Sequence, residues 1–107
     1  MDLFDFARAA RDAGMQQALD HAERKEPSWG DLAYDYLVSY ARKHKQFTAE
    51  DVTDSTKDTD FPQPPTDRAW GITFRKAQRQ GVIKQIGTGR RRRGHLAMCP
   101  VWGSTTA

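Results

Sequence analysis

The sequence predicts a mostly α-helical domain with a small β-hairpin. Three observations predict it. An apolar stripe at helical spacing follows Ser28, a second follows Thr66, and two short β-type runs flank a glycine-bounded arginine run near the end. At 107 residues the chain has the size of one domain. Only 37% of it is hydrophobic, yet three Trp, three Tyr and five Phe offer enough area for a compact core.

Residues 1–27 read as an N-terminal helical extension. Asp2 caps a first helix with Asp5 in its first turn, and Leu3, Phe6, Ala7, Ala10 and Ala13 share one side. Gly14 is expected to interrupt or weaken it. A second stretch, Met15 to about Lys25, has the thin stripe Met15, Ala18, Leu19 and Ala22 and ends at Glu26-Pro27.

Residues 28–103 read as the main domain. Ser28 opens a helix striped by Trp29, Leu32, Ala33, Tyr36, Leu37, Tyr40 and Ala41, with Asp31 placed for a capping box and Arg42, Lys43 and Lys45 at the cationic end. Gln46-Phe47 reads as a short extended piece. Thr48 caps a short helix over 49–56 with Val52 inward. Lys57–Thr66, with Pro62, Pro64 and Pro65, reads as a loop or polyproline stretch. Thr66 or Asp67 starts a helix to Gln80, closed by Gly81, whose inner stripe is Ala69, Trp70, Thr73, Phe74 and Ala77. Val82–Ile86 is a strand without clean alternation, 87–94 a flexible basic loop, and Leu96–Trp102 a returning strand that Pro100 places at an edge or near its end. Residues 104–107 read as a frayed tail.

A formal charge of +3 conceals a split. Residues 1–60 hold 8 basic and 13 acidic side chains, and residues 61–107 hold 9 basic and 1 acidic. Such asymmetry points to a polyanionic partner for the second half, of which nucleic acid is the commonest. No run of about 18 apolar residues offers a membrane span. The opening MDLFDF lacks the basic-then-apolar pattern of a secretory signal, and the single Cys99 fits a reducing cytosol. A cytoplasmic location is expected.

From Ser28 the order helix, extended piece, short helix, loop, helix, strand, basic turn, strand resembles a winged helix-turn-helix domain. That resemblance implies a third helix in the DNA major groove and a hairpin tip on the backbone or in the minor groove. One departure is visible: about ten residues join the second and third helices, where three or four are usual. Trp29, Phe47–Val52, Pro62–Pro65, Arg68–Gly71 and Pro100–Trp102, in that order, also resemble a family of small uncharacterised phage and prophage proteins. This likeness covers about Ala13 to Trp102 and implies a phage-encoded origin in a bacterial host cell. It brings no catalytic residues.

Arg90, Arg91, Arg92 and Arg93 are the sharpest candidate site: a wing, within 87–95, that grips phosphates and displaces counterions. The plainer alternative is a solvated charged loop. Arg68, Arg75, Lys76 and Arg79 are the candidate DNA-facing side of helix 67–80, and an ordinary exposed helix face is the alternative. Gln78 and Thr73 are base readers by residue type, although Thr73 falls on the inner stripe. Trp70 and Phe74 read as core rather than as stacking platforms.

His95 and Cys99 lie ~13 Å apart along a strand at ~3.3 Å per residue, too far for one metal. Cys99 has no acid–base partner in sequence to make it a nucleophile. Glu50-Asp51 and the Asp58/Asp60 pair fit a helix start and a solvated loop better than a nuclease centre. No enzyme, metal or cofactor is expected. The expected function is duplex-DNA binding, with the acidic half turned away from DNA and Leu3, Phe4 and Phe6 available to a protein partner or second protomer. The alternatives are an assembly module that docks through the proline-rich connector, and an RNA or single-strand binder.

Overall fold

The computed structural model describes residues 3–90 and 98–105. Its elements in chain order are α1 (Leu3–Lys25), α2 (Trp29–Lys43), β1 (Gln46–Phe47), α3 (Ala49–Lys57), a 3-10 turn (Asp67–Ala69), α4 (Trp70–Arg79), β2 (Ile83–Arg90) and β3 (Met98–Ser104). The mostly α composition with a hairpin holds. A third strand joins the hairpin, because β1 pairs with β3 and the antiparallel sheet runs β1–β3–β2.

α1 is one continuous helix, not two. Nothing lies within 4 Å of a Cβ built on Gly14, so the glycine costs helix propensity without breaking the hydrogen-bond ladder. Of α1's described side chains only Ala18 and Ala22 are buried, with Met15 and Leu19 half-buried. The thin stripe therefore docks through small groups. The Asp2 cap and the apolar contact through Leu3, Phe4 and Phe6 lie outside what is described.

α2 buries Trp29, Ala33, Leu37 and Ala41, an i, i+4 stripe narrower than expected, and Leu32 is left 39% exposed. The capping box at Ser28 is absent. Ser28 sits at φ −91°, ψ 9°, outside the extended conformation from which a cap side chain reaches back, and Pro27 holds the turn just before it. The mirror case is Thr48, extended at ψ 169°, where the box is complete. Asp51 N–H donates to Thr48 Oγ1 (3.3 Å) and Thr48 N–H donates to the Asp51 carboxylate (2.9 Å). Val52 is fully buried beneath α3.

The connector between α3 and α4 is pinned at Phe61 and Pro62, while Asp58–Asp60, Gln63, Pro65 and Thr66 stay exposed. Phe61 turns into the core edge, 5.5 Å from the Trp70 ring, 5.2 Å from Tyr36 and 6.4 Å from Trp29. Trp29 Nε1 donates to the Pro62 carbonyl at 2.9 Å, and Gln63 Nε2 donates to the Thr56 carbonyl at 3.1 Å. The prolines stiffen the segment and Phe61 anchors its middle.

Thr66 opens the 3-10 turn, its side chain accepting from Arg68 N–H, and all five expected inner residues from Ala69 to Ala77 are buried. Gly81 closes α4 at φ +75°, a conformation that favours glycine. β2 continues through Gly87–Gly89 to Arg90, where a flexible loop was expected. The register shift between Gln85 and Gly87 explains the missing alternation: Ile86 is an extra residue in a bulge. Pro100 pairs with Thr88 beyond the reach of β1, so β3 is a local edge there even though it is the central strand at Trp102.

The chain after Trp102 is held, not frayed, as far as Thr105. Ser104 N–H donates to the Lys45 carbonyl (3.0 Å), and Thr105 N–H donates to that of Val82 (3.1 Å). Residues 106–107 of the expected tail lie outside the described part.

Candidate nucleic-acid interface

The basic side chains of the 3-10 turn and α4 divide into three groups by what flanks them. On one flank α1 packs along the 3-10 turn and the first half of α4. There Arg75 Nη2 meets Asp12 Oδ1 at 2.7 Å, in an ion pair whose partners are 37% and 40% exposed. On the other flank Lys76 Nζ lies 4.4 Å above the Tyr34 ring of α2, a cation–π contact. Arg79 is exposed and Ile72 half-buried on α4, and Arg68, exposed in the 3-10 turn, shares a small cleft with Gln17 and His21 of α1. The expected four-residue basic face is thus two exposed arginines and two cations engaged within the fold.

The N-terminal segment lies against the 3-10 turn and α4. Gly71 permits the approach: a Cβ built there would stand 2.3 Å from Met15 Sδ. Helix stripes read from sequence do not reveal which other helix covers the outer side, so Asp12 and Met15 carried no signal beyond their own helix.

A cleft of about 900 Å³ runs between α1, α4 and β3. Arg11 and Met15 line it from α1, Asp67, Arg68, Arg75 and Gln78 from the turn and α4, and Cys99 and Pro100 from β3, with Glu50 and Thr53 of α3 also on its wall. Arg11 is a cation that the pattern of the basic half could not include, because it belongs to the acidic half. Trp70 and Phe74 border the same cleft but are 2% and 5% exposed, and Thr73 is 4% exposed. All three pack in the core and offer no open ring face or hydroxyl for base contact.

Of the wing, the backbone of Arg90 pairs with Met98 at the far end of the hairpin. Arg91, Arg92 and Arg93 lie outside the described residues, as does His95. Cys99 is buried and in no disulfide. No group of three or more metal-ligating side chains occurs among the described residues, and no described helix is long and apolar enough to cross a membrane. Glu50 and Asp51 sit in the first turn of α3, and Asp51 serves the capping box.

Compared with known protein families, with curated proteins and with solved structures, the chain has no match.

Proposed function

We propose that the chain is a duplex-DNA-binding protein of the winged helix-turn-helix type, of phage or prophage kind and acting in the cytoplasm. In this reading α4 enters the major groove and the β2–β3 hairpin carries the arginine run onto the phosphate backbone. The observation that carries it is the sheet order β1–β3–β2, set in the order helix, strand, helix, helix, strand, strand. In sequence the arginine run falls in the stretch that joins β2 to β3, and Cys99 and Pro100, at the loop end of β3, border the same cleft as α4. Exposed Arg79 supplies a cation on α4 itself, and exposed Arg68 one on the 3-10 turn before it. A helix fits the major groove and a cationic turn releases counterions, so the two elements have complementary tasks.

The test is fluorescence anisotropy with labelled duplex DNA, single-stranded DNA and RNA over a range of salt. Duplex binding should be the tightest and should fall steeply with salt. Replacing Arg90–Arg93 by alanine should flatten the salt dependence by about one slope unit for each phosphate that is no longer neutralised. An unchanged duplex affinity and slope in that variant overturns the wing, and preferential binding of single strands overturns the duplex reading.

A further inference from the structure

We propose that α1 is a strap that closes over α4 and has to lift before α4 can read duplex DNA. The inference rests on the DNA-binding reading and adds regulation to that same site.

The major groove of B-DNA, about 12 Å across, admits one α-helix. Packed helices lie about 8–10 Å apart, so a helix with a close neighbour on its outer flank is too broad to enter. α1 is such a neighbour, because Met15 occupies the space that a side chain at position 71 would take. Its carboxylate at Asp12 meets the Arg75 guanidinium as a backbone phosphate would, so DNA and α1 compete for one cation.

The strap is also built to release. Its described buried side chains are two alanines, whereas α2 is anchored by Trp29 and Leu37. The ion pair is more than a third exposed on both sides, so phosphate reaches Arg75 without first prising open a dry interface. Arg11 stands on the cleft wall beside this pair. A departing α1 thus carries a cation able to follow the DNA backbone.

A reversible lock tests this in the full chain. A Cβ built on Gly71 stands 3.8 Å from Met15 Cβ, the mean separation found in disulfides. Met15→Cys with Gly71→Cys, in a Cys99→Ser background to prevent mispairing, should therefore close when oxidised. Titrated against labelled duplex, the oxidised protein should bind at least about tenfold more weakly than the same protein reduced. Equal affinity in the two states overturns the strap but leaves the DNA reading standing. Failure of wild type and of both states to bind any duplex overturns both.

Asp12→Asn gives an independent arm that leaves the core untouched. It removes the competing charge and should tighten duplex binding about threefold, the scale of an exposed ion pair. Unchanged or weaker binding by Asp12→Asn also counts against the strap.

Discussion

The indole nitrogen of Trp29, the first residue of α2, donates to the carbonyl of Pro62, 33 residues later and 2.9 Å away. The bond joins the strongest helix to the middle of the proline-rich connector. With the Phe61 ring 6.4 Å from Trp29, it ties the middle of the connector to the edge of the core. Trp29→Phe should leave the Pro62 carbonyl without this donor, at a cost of about 1–3 kcal/mol. Trp70→Phe removes an indole nitrogen that has no hydrogen-bond partner among the described residues, so it should cost less. Urea midpoints of the two variants decide the matter. Equal losses would mean that the Pro62 bond does not hold the connector.

The two helix starts that look alike in sequence should respond differently to the same change. Thr48→Ala dismantles a complete capping box and should cost about 0.5–2 kcal/mol, seen as a lower thermal midpoint. Ser28→Ala removes a side chain that makes no cap bond and should leave the midpoint nearly unchanged. A large loss at Ser28 would contradict the cap geometry.

Two glycines should give opposite signs. Gly14→Ala lies inside a continuous helix with open space around it and should stabilise the chain by about 0.5–1 kcal/mol. Gly81→Ala forces a side chain onto a residue at φ +75° and should destabilise by about 1 kcal/mol or more. Paired thermal melts measure both. A destabilising Gly14→Ala would argue for a break in α1.

On α4 the exposed and the engaged cations should separate by readout. Arg79→Ala should weaken duplex binding and lower the salt slope by about one unit while leaving stability within about 0.5 kcal/mol. Lys76→Ala should lower stability, because it removes the cation above Tyr34, worth about 0.5–1 kcal/mol at an exposed site. Anisotropy and thermal melts on both variants test the division.

The elements that could be read from sequence are those whose signals are local. The stripe from Ala69 to Ala77, the cap at Thr48 and the stop at Gly81 each depend on neighbours within a turn or two, and each is present. What escaped depends on distant partners. Ile86 obscured the strand because a bulge is defined by the opposite strand, and β2 ran on through two glycines because β3 supplied its hydrogen bonds. The tail looked polar and loose, yet Lys45 and Val82 hold its backbone. At the candidate site, the arginines were legible by charge alone. Their division into free and engaged groups was not, since Asp12 and Tyr34 reach α4 from other helices.

The pairing of Phe47 with Trp102 has a consequence for how the chain is made. The strand at the centre of the sheet is the last of the three to be synthesised, and both neighbours wait for it. During translation α2, α3 and α4 emerge with Phe47, Phe74 and Ile83 still lacking the cover that Trp102 and its strand provide. Such long-range closure is slow relative to helix formation and leaves apolar surface open in the interval. The arginine run leaves the ribosome just before the closing strand, so the nascent chain carries its highest charge density while that surface is still uncovered. Mutual repulsion between such chains discourages their association until the sheet is complete.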